Sequence, residues 1–199
     1  MSFRKEDKFR LSYSDMVKIQ DHLLSLGMKE LYPSRVINSC YFDNDSLTLF
    51  HESEEGILPR KKIRIRWYDK VTSFTKEIKT SSIEGRFKSL KKNPKLKHLD
   101  DVLNSQYFDS SYGILKPSLL VSYERQYFSF KLLRITFDRN ISYRYLKYSS
   151  EVIRKENETV MEVKTPIDCS DDYIKSIITQ PTERFQNTHV ACCVLRDSN

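Results

Sequence analysis

Between Arg60 and Arg66 the chain reads Arg-Lys-Lys-Ile-Arg-Ile-Arg. In an extended strand successive side chains point to opposite faces, and residues two apart share a face at a spacing of about 6.5–7 Å. The run therefore puts Arg60, Lys62, Arg64 and Arg66 on one face and Lys61, Ile63, Ile65 and Trp67 on the other. At an effective dielectric of about 20, each neighbouring pair in such a cationic row repels by roughly 2–2.5 kcal/mol before salt screening. Three such pairs rival much of the roughly 5–15 kcal/mol that keeps a domain folded. A strand of this kind is tolerated only where the row faces water or an anion.

Other segments repeat the alternation. Glu6 and Lys8, Glu77 and Lys79, and Glu162 and Lys164 each form Glu-x-Lys in a strand-like stretch. Tyr123, Arg125 and Tyr127 share a face, as do Arg134, Thr136 and Asp138, whereas Ile135 and Phe137 look the other way. Soluble antiparallel sheets keep apolar residues on the packed face and polar ones outside. Here the polar face is densely and specifically ionic. The economical arrangement is an α+β protein built as a closed antiparallel β-barrel, with an ionic lumen and helices packed on its apolar outside. A net-basic lumen with a few carboxylates suits a polyphosphorylated ligand and its divalent metal.

The formal charge of +7 favours an anionic partner. Four glycines in 199 residues leave no glycine-rich nucleotide loop, and neither G-x-x-x-x-G-K-[ST] nor G-x-G-x-x-G occurs. The start, Met-Ser-Phe-Arg-Lys-Glu-Asp-Lys, is charged with no apolar run behind it, and no stretch approaches the roughly 20 apolar residues of a membrane helix. A cytoplasmic protein without a membrane span is expected, any membrane-protein partner being left open. Cys40, Cys169, Cys192 and Cys193 form no C-x-x-C pair and read as reduced or buried thiols. The many tyrosines and phenylalanines fall on alternating strand positions that would pack beneath helices, and no nucleic-acid motif accompanies them.

Along the chain we expect a strand at 4–11, a helix capped by Ser14 and stopped by Gly27, and a strand at 35–42. A short strand at 47–51 follows, then the basic strand with a hairpin partner at 74–79, and a polar, lysine-rich stretch from Ser81 to Lys97. A short helix begins at His98. Strands at 119–128, opened by Pro117, and at 132–138 pair with each other. A strand at 159–164 and a helix capped by Ser170 complete the pattern, and 185–195 is ambiguous. No repeat or linker divides residues 1–199, so a single domain is expected.

In order, these segments carry R-x-E-x-K (Arg4–Lys8), S-x-Y-F-D (Ser39–Asp43), R-x-K-x-R-x-R (Arg60–Arg66), E-I-K (Glu77–Lys79), Y-E-R (Tyr123–Arg125), R-I-T-F-D (Arg134–Asp138) and E-V-K (Glu162–Lys164). The series resembles the catalytic domain of the vacuolar transporter chaperone (VTC) complex, the polyphosphate polymerase branch of the triphosphate tunnel metalloenzymes. Arg4 stands where the related adenylyl cyclase and thiamine triphosphatase branch has the first Glu of E-x-E-x-K, which argues for the polymerase branch. The closing S-K-Y helix of the polymerases has no clear counterpart. Arg184 and His189 are the candidate substitutes.

The resemblance implies a tunnel that binds ATP, triphosphate or polyphosphate with Mn²⁺ or Mg²⁺. It also implies transfer of the terminal phosphoryl group of ATP to a growing polyphosphate chain. It places Lys8, Arg64, Arg66, Lys79, Arg125 and Arg134 around the phosphates, the first four as the catalytic set, with Arg60 and Lys62 as further candidates. Glu162 corresponds to the metal carboxylate, with Glu6 and Glu77 as helpers or as charge balancers for neighbouring lysines. Tyr123 either hydrogen-bonds a phosphate or packs, and Asp138 is expected to orient an arginine. Arg86 and Lys88 open a basic stretch that could guide an anionic product, or that could simply be a solvated lysine-rich loop. Hydrolysis of tripolyphosphate or another triphosphate on the same site, and polyphosphate binding without catalysis, are the alternatives.

Overall fold

Ser12, not Ser14, starts the first helix: its hydroxyl accepts from the Asp15 backbone N–H at 3.1 Å. The structure is a computed structural model, and it describes residues 4–69, 73–93, 95–146, 153–178 and 183–184. The elements run β1 (Arg4–Leu11), α1 (Tyr13–Ser25), β2 (Lys29–Asp43), α2 (Thr48–Glu55), β3 (Arg60–Tyr68), β4 (Thr75–Ser82), β5 (Gly85–Lys92) and α3 (Leu99–Leu103). They continue with β6 (Tyr107–Asp109), β7 (Gly113–Phe130), β8 (Leu133–Tyr145), β9 (Ile153–Lys155), β10 (Thr159–Pro166), α4 (Asp171–Ile177) and β11 (Glu183–Arg184). The chain is thus an α+β protein dominated by antiparallel sheet. Its hydrogen-bonded strand order is β11-β1-β10-β8-β7-β2-β3-β4-β5, with β6 on β7 and β9 on β8. Among the described residues, no helix is long and apolar enough to cross a membrane.

Backbone contacts divide the chain into two units. Among the described residues, the first takes those up to Arg35, Tyr123–Ile141, and those from Lys155 to Arg184. Its core is Phe9 and Leu11 of β1, Met16, Ile19 and Leu23 of α1, Phe128, Phe130, Leu133, Ile135 and Phe137 of β7 and β8, Met161 and Val163 of β10, and Ile174 and Ile177 of α4. The spacing Met16, Ile19, Leu23 puts these three on one face of the helix. Ile135, Phe137, Met161 and Val163 are fully buried, so the alternate positions of β8 and β10 are turned to the opposite face.

The second unit takes Val36–Ser122 and Ser142–Arg154. Its core joins Cys40 and Phe42 of β2, Leu49 of α2, Ile63, Ile65 and Trp67 of β3, Phe74, Val102 of α3 and Leu115 of β7. Trp67 and Phe74 pack with their rings tilted and the centroids 5.3 Å apart. With Ile63, Ile65 and Trp67 inside, Arg60, Lys62, Arg64 and Arg66 fall on the other face, as the alternation requires. Burial pushes the Cys40 thiol up to about 12, so it is an inert core residue.

Two expectations fail, each for a local reason. Residues 48–51 are helical, not extended, and Leu47 precedes them as the N-cap: the Asp43 carboxylate accepts from the N–H groups of Asn44, Leu49 and Phe50, and Asn44 Oδ1 accepts from Thr48 N. These bonds satisfy the donors that a helix start leaves open. The stretch from Ser81 is no loop either. Residues 85–92 form β5 and pair with β4 from Ser82↔Gly85 to Thr75↔Lys92. Gly85 turns the chain at φ 144, a conformation closed to L side chains. Asp43, 5 % exposed, closes the S-x-Y-F-D motif yet holds α2. Asp43→Ala should therefore cost about 2–3 kcal/mol in chemical denaturation and leave tripolyphosphate affinity unchanged.

Candidate phosphate-binding site

The ionic face of the second unit is laid out by strand register. Tyr41 of β2 lies opposite Arg64 of β3, which lies opposite Glu77 of β4. One step along, Ser39 faces Arg66 and Arg66 faces Thr75. In the other direction Lys62 faces Lys79, and Lys79 faces Lys88 of β5. Arg60 faces Ser81, which faces Arg86. Every cation proposed for this half from the sequence therefore stands on one surface, with Glu77 as the carboxylate among them.

Glu77 is 5 % exposed and is enclosed by charge. Its Oε2 accepts from Arg64 Nε at 2.8 Å and Nη2 at 2.6 Å, while Lys88 Nζ and Arg66 Nη1 lie 3.3 and 3.8 Å from Oε1. Burial pushes the Glu77 carboxyl up, but Arg64, Arg66 and Lys88 outweigh it and hold the group below the usual carboxylate range. The repulsion foreseen for the bare row is thus partly offset from within. Arg64 also donates from Nη1 to the Tyr41 hydroxyl at 2.8 Å, and Arg66 Nε donates to Ser39 Oγ at 3.3 Å. Spacing alone assigns Ser39 and Tyr41 no role. The signal was present in S-x-Y-F-D, where they alternate with the buried Cys40 and Phe42.

The first unit carries its own ionic face. Lys8 lies opposite Glu162, which lies opposite Thr136, and Glu6 lies opposite Lys164, which lies opposite Arg134. Glu162, 4 % exposed, has Lys164 Nζ at 2.8 Å, Lys8 Nζ at 3.4 Å and Arg125 Nη2 at 3.8 Å. Burial raises its carboxyl, and these three cations overcome that to bring it down to about 2. Glu6 lies 3.6 Å from Lys164 and 3.9 Å from Lys8. Arg125 grips Asp138 with Nε and Nη2 at 2.5 and 2.6 Å and has its guanidinium carbon 5.3 Å from the Tyr123 ring centre. Asp138 is thus seated as the partner that orients an arginine. Burial pushes its carboxyl above the ordinary value, against Arg125, whose grip works the other way. Arg134 is exposed on the same face. The backbone of Arg184 lies in β11, and His189, Cys192 and Cys193 lie outside the described residues.

The carboxylates fit one style of metal binding. Among the described residues, no three acidic, histidine or cysteine side chains gather as a metal cage. Mg²⁺-like cations, however, take one or two carboxylates and fill the rest of their shell with water and phosphate oxygens. Glu162, ionised at any physiological pH, suits that role with Glu6 beside it. Glu77 is ringed by Arg64, Arg66 and Lys88 much as Glu162 is ringed by Lys8, Lys164 and Arg125, so the surrounding charge does not separate the two carboxylates.

The family model described as VTC domain matches residues 3–188. The chain belongs to the VTC domain family. Three solved structures are similar over nearly their whole length. One is a candidate adenylate cyclase from Bacillus halodurans (TM-score 0.59, 16 % identity, covering 96 % of each chain). Another is a Pyrococcus horikoshii protein (0.54, 10 %, covering 94 % of this chain and 98 % of that one). The third is a candidate adenylyl cyclase from Hippeastrum reported to have a dominant triphosphatase activity (0.51, 14 %, covering 99 % and 97 %). At these identities the likeness is one of fold. No curated protein sequence matches the chain at a significant level.

Proposed function

We propose that this VTC domain is a metal-dependent polyphosphate polymerase that transfers the terminal phosphoryl group of ATP to a polyphosphate chain. The observation that carries the reading is the VTC domain match over residues 3–188, on a chain whose strands present two ionic faces rich in arginine and lysine. Phosphoryl transfer needs little from a protein beyond positioning and charge stabilisation, and arginines supply both through paired hydrogen bonds to phosphate oxygens. Arg60, Lys62, Arg64, Arg66, Lys79, Arg86 and Lys88 would hold phosphates from the second unit. Lys8, Arg125, Arg134 and Tyr123 would do so from the first. Glu162, with Glu6, would hold Mn²⁺ or Mg²⁺, which supplies charge neutralisation on the nucleotide phosphates when bound. Arg4, in place of the first Glu of the cyclase and thiamine triphosphatase pattern, favours the polymerase branch. Hydrolysis is the second reading, favoured by the triphosphatase activity reported for the structurally similar Hippeastrum protein.

One incubation separates them. Purified protein with ATP and Mn²⁺ should yield a ladder of polyphosphate on a gel, whereas inorganic phosphate without a ladder would establish the hydrolase. Binding is tested independently of turnover. Tripolyphosphate at 100 times its dissociation constant should stabilise the fold by about 2.7 kcal/mol. A melting midpoint indifferent to tripolyphosphate would remove both enzymatic readings.

A further inference from the structure

Arg64 is bracketed from both sides by its neighbours in a single rung of the sheet. Glu77 takes the Nε and Nη2 donors at 2.8 and 2.6 Å, and Tyr41 takes Nη1 at 2.8 Å. Because Tyr41↔Arg64 and Arg64↔Glu77 are direct register partners, the two brackets are anchored by the ladders on either side of β3. A guanidinium gives paired hydrogen bonds only in its own plane, so fixing that plane decides how it meets a phosphate. A side chain fixed in advance also loses less rotamer entropy on binding.

We propose that Tyr41 and Glu77 are positioning residues that hold the Arg64 guanidinium in the plane from which it grips phosphate, an inference that rests on the phosphate reading above. Tyr41 makes the bracket observable. Lys62, Arg64 and Arg66 act on its hydroxyl from β3, Glu77 of β4 stands beyond Arg64, and Ser118 of β7 bonds only the Tyr41 backbone carbonyl, at 3.1 Å. Burial pushes the phenol up, yet Arg64, Arg66 and Lys62 together bring it down to about 8. The folded phenol then ionises above that pH while an unfolded one stays protonated until about 10. Its contribution to stability grows as pH rises between those values and is absent below 8. Phosphate bound to the same cations would neutralise them and move the phenol back up.

The test is a tyrosinate absorbance titration of the whole chain in chelator, with and without tripolyphosphate, alongside calorimetric binding. A single transition near pH 8 that is missing in Tyr41→Phe and moves upward with tripolyphosphate is the expected result. Tyr41→Phe should weaken tripolyphosphate binding about 5- to 10-fold without lowering the melting midpoint. Glu77→Gln should also weaken metal-free tripolyphosphate binding, since its neutral amide holds the Arg64 guanidinium less firmly than the carboxylate does. A merely structural Glu77 would lower the melting midpoint and leave that affinity unchanged in the folded protein. Should Glu77→Gln fold poorly, Tyr41→Phe, the loss of one hydroxyl, carries the test. Titration of every tyrosine near pH 10, or unchanged binding by Tyr41→Phe, overturns the bracket. A transition near pH 8 that tripolyphosphate fails to shift, with no binding heat, instead overturns the phosphate reading and leaves the Arg64 geometry standing.

Discussion

Replacing Arg64 and Arg66 together by alanine should weaken tripolyphosphate binding by at least about 100-fold. Each charge-assisted bond to a phosphate oxygen contributes roughly 1.5–3 kcal/mol, so losing two arginines removes about 3–6 kcal/mol. From the sequence alone the double mutant would be expected to fold as well as the parent or better, since it removes repulsion from a bare cationic row. The structure reverses that expectation. Arg64 and Arg66 surround the buried Glu77 together with Lys88, at 3.3 Å, and the double mutant strips two of these three cations from it. Removing one side of a buried ion pair costs about 3–5 kcal/mol because the other charge is left uncompensated. The double mutant should therefore melt lower than the parent. Adding Glu77→Gln should recover much of the midpoint and none of the affinity. A triple mutant that regains tripolyphosphate binding would show that the Arg60–Arg66 row faces solvent and plays no part in the site.

That contrast marks where sequence reading reaches its limit. The facing of β3 was legible because Ile63, Ile65 and Trp67 alternate strictly with cations, and period two admits one solution when one face must be buried. The same logic placed Ile135 and Phe137 inside and Arg134, Thr136 and Asp138 opposite. The hairpin of β3 with β4 was legible, but its register and the pairing of non-consecutive strands are properties of topology, so the full rung Tyr41–Arg64–Glu77 and the ladder Lys8–Glu162–Thr136 could not be read from spacing. Hence spacing does not single out Tyr41, and it leaves Glu77 equally a metal ligand or a counter-ion. β5 was hidden for another reason. Arg86-Phe87-Lys88-Ser89-Leu90-Lys91-Lys92 has no apolar face to alternate, and Phe87 and Leu90 stay largely exposed. Its strand conformation comes from pairing with β4, where tertiary context overrides local pattern. Residues 47–51 misled in the opposite direction, because the helix start is set by Asp43, which sits outside the helix it caps.

Glu162→Gln should separate binding from turnover more sharply than any other single change. The substitution keeps the side chain's size and removes the negative charge that a hard divalent cation asks of its oxygen ligands. Metal-dependent ATP consumption should fall about 100-fold or more, since charge neutralisation on the transferring phosphates is worth several kcal/mol. Calorimetric binding of tripolyphosphate in chelator should persist or tighten, because Lys8, Lys164 and Arg125 then face the ligand without their shared counter-ion. The pH dependence of stability supplies a check that needs no activity. With the carboxyl held at about 2 in the folded state, against 4.5 as an ordinary value, its ionised form contributes about 3 kcal/mol. That contribution is fully present above pH 4.5 and is lost as pH falls toward 2. The parent should therefore exceed Glu162→Gln in stability at pH 7, and the gap should close by about pH 2. A gap that stays constant across that range would remove Glu162 from its ion-pair cluster. Undiminished ATP consumption by the folded variant would remove it from the chemistry.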